Sequence, residues 1–552
     1  MSRVSSRAGR VAVALLPALA ACAPSAPAPG IAAPSATTAA VTATDLRTRL
    51  GIFADDSMMG RGAGTAGNAK GTAYLAAEAG RLGLVPAGES GTFFQTVPLV
   101  KRTLAPGAAV SAGGTTFAPS TDFIARDQGK ATRPIDGVPV VDGGVFGDSA
   151  HPALPADQAA GKLVVIRVAP QPDGTPAGTV ARAVVTERFG SAAGIAVATL
   201  DAIAPADRAG LEVPSAQLAH DGGPAQPAFL YVTARMAEAL VRAGTVRGSV
   251  AFADSPPDAP ARNVVAILPG SDPALRGQLV ALGAHNDHLP MAPAPAEHDS
   301  LRAFNAVMRP KGADDSPGTP TAAQHARIRA ILDSLRRLRP ARQDSVFNGA
   351  DDDGSGSVTL LEIAEALARS PRHPKRSLLF VWHTGEEVGL LGSDWFTRHP
   401  TVARDSIVAQ LNVDMVGRGG AADLAEGGPA YLRMIGSRRL STELGNLVEQ
   451  VNADGKHGFA LDYRWDAKGH PDNSYCRSDH YMYARYGIPI AFFTTGSHRD
   501  YHQLTDEVQY IDFGKMARVA DFIEQVAVRV ADLDHRVVVD QPKPDPEGSC
   551  RQ

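Results

Sequence analysis

Between Arg262 and Asp532 the chain alternates short apolar runs with stretches of helical periodicity. The runs are Val264 to Leu268, Leu279 to Gly283, Leu378 to Trp382, Ile407 to Val413 and Ile488 to Phe493. A short continuous apolar run reads as a strand buried on both faces, and strands separated by helices predict an α/β fold: a mostly parallel central sheet flanked by helices. Ligands of such sheets gather in the crevice beyond the carboxyl ends of the strands. From Asp136 to Asp254 the rhythm changes to shorter β-like runs, Lys162 to Val168, Ala193 to Leu200 and Phe229 to Val232, which predict a smaller, β-rich inserted unit. Upstream, Asn68 to Leu82 reads as a helix, and Gly60-Arg61-Gly62-Ala63-Gly64 as the turn before it, since no strand leads into those glycines and no Gly-Lys-Ser/Thr follows. Pro290 to Phe347 breaks the alternation and contains an amphipathic helix, Ala322 to Leu338, with Ile328, Ile331, Leu332, Leu335 and Leu338 as its stripe. Such an insert is either a wall of the crevice or a surface decoration. The resulting division is a leader at 1–21, a tether at 22–43, a first part of the main domain at 44–105, the β-rich unit at 106–255, the rest of the main domain at 256–535 and a tail at 536–552.

Composition narrows the picture. At 552 residues, 44% hydrophobic and 20% charged, the chain can bury large cores in two or three domains. A formal charge of -4 and a pI near 6.4 give no basic footprint for nucleic acid. Arg3, Arg7 and Arg10 precede the apolar stretch Val11 to Ala21, too short to span a bilayer, which reads as a signal peptide. Leu19-Ala20-Ala21-Cys22 resembles the bacterial lipobox, implying lipidation of Cys22, a membrane anchor and a place in the cell envelope. Ala23 to Ala43, rich in Ala, Pro, Ser and Thr, is expected to be a disordered tether. Cys476 and Cys550 cannot form a disulfide framework; Cys476 reads as a packed thiol, with pairing left open.

The candidate chemistry lies at the strand exits. Gly385-Glu386-Glu387 follows the run ending at Trp382, so one carboxylate can bind a metal while its neighbour activates water. His285-Asn286-Asp287, Asp351-Asp352-Asp353-Gly354-Ser355-Gly356, Asn412-Val413-Asp414 and Tyr501-His502 occur in an order that can complete a pair of metal sites. Imidazole and carboxylate suit zinc outside cysteine-rich sites, and two zinc ions about 3.5–4 Å apart need a bridging carboxylate. The assignment places His285 and Asp414 on one Zn2+, Glu387 and His502 on the other, and Asp352 between them. Glu386 is left to take the proton from the bridging water.

This set resembles metallopeptidase family 28, the di-zinc exopeptidases, over Arg262 to Asp532, with Asp45 to Pro98 as a preceding part. The resemblance implies peptide substrates, Asp287 as the carboxylate behind His285, and Tyr501 steadying the oxyanion. Asp506 is expected to do for His502 what Asp287 does for His285. The 106–255 unit resembles a protease-associated domain. The insert departs from the family and creates a decoy, Gly312-Ala313-Asp314-Asp315, but Pro317 and Pro320 interrupt any helix after it, whereas Gly354-Ser355-Gly356 leads into one. His288, His480 and His498 are left without a ligand role. The motif set and export signal favour an aminopeptidase, with a glutamate-carboxypeptidase-like enzyme as the alternative; oligomeric state is left open. A different class, a calcium-binding lipoprotein, fits Asp351 to Glu362 as an EF-hand loop but needs an entering helix that Pro340 and Asn348-Gly349 do not support.

Overall fold

The computed structural model describes residues 37–128, 131–147, 154–169, 182–203, 205–219, 224–315 and 317–552. The leader, Cys22 and most of the tether lie outside the described residues. The tether's last residues are hydrogen-bonded: Thr37 donates to Glu365 at 2.5 Å, and the Thr42 amide to Glu362 at 2.9 Å. Thr42 also caps the helix α1 (Ala43–Phe53) through the Asp45 amide.

A nine-stranded sheet organises the main domain. Its principal strands are β1 (Arg262–Leu268), β2 (Leu279–His285), β3 (Ser377–His383), β4 (Ile407–Val413), β5 (Tyr431–Ile435), β6 (Ala460–Asp462) and β7 (Ile490–Thr494). They lie in the order β1-β3-β2-β4-β7-β5-β6, with Val85–Pro86 and Phe94–Thr96 both paired to β1. The central strands β3, β2, β4 and β7 are parallel as expected, but β1 joins β3, and β5 joins β7, antiparallel. Every residue of β2, β3 and β4 is buried, which is why their sequences are runs and not alternations.

Helix α2 (Ala66–Arg81) begins two residues before the expected Asn68, because Thr65 caps it by accepting the Asn68 amide. After it come α3 (His298–Met308), α4 (Ala322–Leu338), α5 (Gly356–Ala368) and α6 (Phe513–Ala531). Helix α5 is buried almost all round between the sheet and α1 and α6. Its buried acids Glu362 and Glu365 are both met by Arg49 of α1, since carboxylates at that depth need a cation.

The β-rich unit holds a five-stranded sheet built from Phe123–Arg126, Ala228–Val232, Gly194–Val197, Leu163–Val168 and Val140–Phe146, with its own apolar cores. Leu99–Leu104 pairs with Ser215–Leu218 and Phe252–Ser255, so this unit takes in a strand ahead of residue 106.

Helix α4 spans the predicted residues. It rests on α3, its stripe half-buried except for Leu338, which is 80% exposed. Helix α3 and the loop after it reach the segment 498–507: Arg302 donates to Asp500 at 2.7 Å, Asn305 to Gln503 at 3.2 Å, and the Ala313 amide to the Tyr501 carbonyl at 3.0 Å. The insert is therefore part of the crevice wall.

Candidate metal centre

The ligand candidates stand at strand exits or just beyond. His285 ends β2, Asp414 follows β4 directly, and Glu386 and Glu387 follow β3 across Gly385, whose φ of 77° is a left-handed turn that glycine adopts freely. Asp352 comes from the loop that leads into α5. That loop lies tight under β4: a Cβ on Gly356 would sit 2.2 Å from the Val413 carbonyl oxygen, so glycine is required there.

These side chains converge. His285 Nε2 lies 3.0 Å from Asp352 Oδ1 and 3.7 Å from Asp414 Oδ1. His502 Nε2 lies 2.9 Å from Asp352 Oδ2 and 2.8 Å from Glu387 Oε2. Each oxygen of Asp352 thus faces a different group, the disposition a bridging carboxylate requires. His285, Asp352 and Asp414 form one set able to hold a cation; His288, Asp352, Glu387 and His502 form another.

The donors fit metal ions by a test internal to the molecule. Buried polar atoms are almost always hydrogen-bonded, yet His285 Nε2, His502 Nε2 and Asp352 Oδ2 have no hydrogen-bond partner although they converge on one centre. His285 Nδ1 lies 3.0 Å from the Asp287 carbonyl oxygen, which can only accept, so Nδ1 carries the proton and Nε2 presents its lone pair inward. The surrounding carboxylates favour the protonated forms of these groups. Burial opposes protonation of His502, but Glu387 and Asp352 hold its pKa up at about 11. Burial, reinforced by Asp414 and Glu387, pushes the Glu386 carboxyl well above its usual range.

Residues 263–527 match Peptidase family M28. This stretch is a peptidase M28 domain. Over 211 residues the chain is 32% identical to leucine aminopeptidase 1 of Paracoccidioides brasiliensis (strain Pb03), covering 35% of this chain and 48% of the relative. Over 195 residues it is 29% identical to leupeptin-inactivating enzyme 1 of Streptomyces exfoliatus, covering 34% and 43%. The chain spans somewhat less than half the length of these curated relatives. Among solved structures, the aminopeptidase from Aneurinibacillus sp. strain AM-1 shares 16% identity over 91% of this chain and 97% of its own, with a TM-score of 0.49.

Within the M28 domain the flanking acids of the Asp351–Asp353 loop act as struts. Asp353 accepts the amides of His285 (3.1 Å), Gly356 (2.8 Å) and Met415 (3.2 Å), and Asp351 accepts that of Gly417 at 2.6 Å. The loop is tied to both neighbouring strand ends, and the middle acid projects into the centre. This arrangement also removes the calcium reading, because Asp351 and Asp353 are spent on backbone amides and Glu362 is paired with Arg49.

Two supporting roles differ from expectation. Asp506 does not back His502: its carboxylate accepts the amides of Asp351 (3.0 Å) and Asp352 (3.1 Å), because segment 502–507 turns beneath the bridge loop. Asp287 lies 3.8 Å from His285 Nδ1, whose proton goes to the Asp287 backbone, and its side chain accepts the Glu386 amide at 3.1 Å. Burial pushes the Asp287 carboxyl up to about 7. His288 was missed. Its Nδ1 lies 2.6 Å from Glu387 Oε1, and the available signal was its place one residue after Asp287 in the same strand-exit loop. His498 meets Asp351 at 3.1 Å, and His480 is buried away from both sets.

Tyr501 stacks on His502 with ring centroids 3.9 Å apart, and its hydroxyl accepts from Arg477 at 3.1 Å. Arg477 in turn is held by Asp314 of the decoy sequence at 3.0 Å, and Asp314 also accepts from Ser497 at 2.6 Å. The decoy binds no metal set, yet it belongs to the site. Cys476, next to Arg477, is disulfide-bonded to Cys550, with Cα atoms 5.7 Å apart, so it is neither a thiol nor a ligand. The bond fastens this wall to the carboxy-terminal tail.

Proposed function

We propose that the chain is a zinc-dependent aminopeptidase that removes N-terminal residues from peptides, using two Zn2+ and Glu386 as general base. The observation that carries this reading is Asp352, whose oxygens face two separate ligand sets in a cavity that Glu386 also lines. His285 and Asp414 would hold one ion, Glu387 and His502 the other, with His288 beside Glu387. Bound there, divalent zinc supplies Lewis acidity toward a carbonyl oxygen and makes water more acidic.

The protein's own groups do the rest. Glu386 is positioned through its amide by Asp287 and takes a proton from the attacking water, then returns it to the departing amine. Because Arg477 donates to the Tyr501 oxygen, the phenolic proton stays free to donate to the tetrahedral oxyanion. Ser478, at 2.8 Å from Asp414 and 2.9 Å from Asn412, fixes the Asp414 carboxylate. The name of one relative, leucine aminopeptidase, supports an aminopeptidase. We read the β-rich unit as a protease-associated domain, and Cys22 as the lipid anchor of an exported protein.

The deciding experiment incubates the purified, zinc-loaded chain with a peptide bearing a free amino terminus and with its N-acetylated form, with and without chelator, and measures zinc per chain. Cleavage of the free form only, abolished by chelator, with about two zinc ions bound, is the expected result. Release of C-terminal residues from the blocked peptide would replace the aminopeptidase reading by the carboxypeptidase one, and chelator-resistant cleavage would remove the metal.

A further inference from the structure

The cavity at the candidate metal centre contains an arginine that, among the described residues, touches no carboxylate directly. Arg433, on β5 opposite Thr494 of β7, is 7% exposed and lines the same cavity as Asp352, Glu386 and Asp414. Its Nε donates to the Tyr431 hydroxyl at 2.7 Å, and its guanidinium lies over the Trp465 ring, 3.5 Å from the centroid. Gly496 makes the remaining room, since a Cβ there would fall 2.1 Å from Cζ and Nη1. The side chain is thus locked in place by a hydrogen bond, an aromatic face and a residue with no side chain. Among the described residues, neither Nη1 nor Nη2 makes a hydrogen bond and no carboxylate oxygen lies within 4.0 Å of the guanidinium.

The other buried arginines are treated differently. Arg49, Arg102, Arg418 and Arg485 each meet carboxylates, and Arg61 and Arg376 spend their terminal nitrogens on backbone carbonyls. Burying a cation is costly unless an anion or strong acceptors meet it. Of the cavity's two carboxylates outside the metal sets, Glu386 is the base proposed above and Asp472 is engaged by Lys311 at 3.7 Å. A preorganised fork with free terminal N–H groups is the geometry that binds a carboxylate in a bidentate manner.

We infer that Arg433 anchors a carboxylate of the substrate, so that this site acts on acidic substrates. The inference rests on the proposed peptidase activity and names its substrate class. The carboxylate has two sources: the side chain of an N-terminal Asp or Glu, or the free carboxyl terminus of a di- or tripeptide. Met415 and Phe492 supply apolar walls of the same cavity, suited to the methylenes that carry such a group.

The test uses the full, zinc-loaded chain. One arm compares Glu-Ala-Ala-amide with Gln-Ala-Ala-amide; the other compares Leu-Ala with Leu-Ala-amide. We expect kcat/KM to favour the acid on the order of 10- to 100-fold in one arm, the range of a charge-assisted hydrogen-bonded pair, and Arg433→Met to bring that ratio near one. Equilibrium binding of L-glutamate, L-glutamine and L-glutaminamide gives a second readout that needs no turnover, and should show the same order in the native chain and lose it in the variant. Ratios near one in both arms, or a preference that survives Arg433→Met, overturn the inference while leaving the peptidase intact. If no peptide is cleaved, the proposed function falls, and the binding series still decides Arg433. Should Arg433→Met fail to fold by circular dichroism, Arg433→Gln carries the same comparisons.

Discussion

Two stretches of the chain share the sequence Gly-Ala-Asp-Asp, at 312–315 and at 349–352, and one ends at the rim of the candidate centre while the other ends within it. Both begin with a glycine of positive φ, 60° at Gly312 and 52° at Gly349. In the second, the last acid bridges two ligand sets because flanking acids bind the amides of β2 and of the segment after β4. In the first, the last acid, Asp315, accepts the Lys311 amide at 2.7 Å within its own loop, and Asp314 before it meets Arg477 and Ser497 at the rim, because Gly312 is pressed against the Tyr501 and His498 carbonyls. The same four residues thus present their last acid to two ligand sets or turn it back on their own loop, according to which backbone receives them.

The comparison breaks most sharply at Asp352. Asp352→Asn should lose bound zinc and lower kcat/KM on the order of 10³-fold or more, whereas Asp314→Asn should keep its zinc; metal analysis beside kinetics checks both. If Asp314→Asn also sheds metal, the two loops are not functionally distinct. Next in size, Glu386→Gln should retain zinc while kcat falls by about 10²- to 10⁴-fold, the span of general base catalysis. A variant that turns over normally would remove Glu386 from its role.

The rim should matter less, and in kcat more than in KM. Asp314→Ala and Tyr501→Phe should each lower kcat by roughly tenfold, and the double variant should be little worse than the worse single one, because both act through the phenol that Arg477 orients. Fully additive losses would show that Asp314 acts elsewhere.

A smaller effect concerns how the insert is held. Asp500 accepts from Arg302 of the insert and from Arg418; burial alone would raise its pKa, but these cations and His498 hold it at about 2, below the ordinary 3.8. A depressed carboxyl contributes stability that is fully present above pH 3.8 and is lost as pH falls through about 2. Asp500→Asn should therefore unfold more readily than the native chain at pH 5 to 7, and the difference should shrink below pH 3, as thermal melts across pH would register. A gap that persists at pH 2 would refute the assignment to this carboxylate.

Smallest of all should be the catalytic effect of Glu362, whose partner is Arg49 and whose distance from the metal sets is enforced by the length of α5. Glu362→Gln should cost about 1–3 kcal/mol of stability with zinc content and kcat unchanged. Loss of metal on that substitution would revive calcium-type ligation.

Much of the fold was legible because burial on both faces leaves a mark in one dimension. The β3 and β4 runs and α4 appear where the apolar pattern puts them, and His285, Asp352, Glu387, Asp414 and His502, singled out by the motifs, are brought together by the fold. Strand direction toward the ends of the sheet was not legible, since the β1 run reads the same whether it pairs parallel or antiparallel, and β5, interrupted by Arg433, does not read as an apolar run at all. His288, the use of Asp506 by the bridge loop, and the bond between Cys476 and Cys550 were likewise hidden. Each depends on which backbone segment arrives opposite a side chain.

The sequence by itself determined the kinds of donor, their order and their attachment to strand ends, because these are properties of covalent order and local periodicity. Tertiary structure alone decided that the two oxygens of Asp352 face different ligand sets, that the insert reaches Tyr501 through Asp314 and Arg477, and that Arg433 enters the cavity with no carboxylate against it among the described residues. The reason is directional: hydrogen bonds and metal ligation depend on where lone pairs and N–H groups point, and that is set by distant backbone packing.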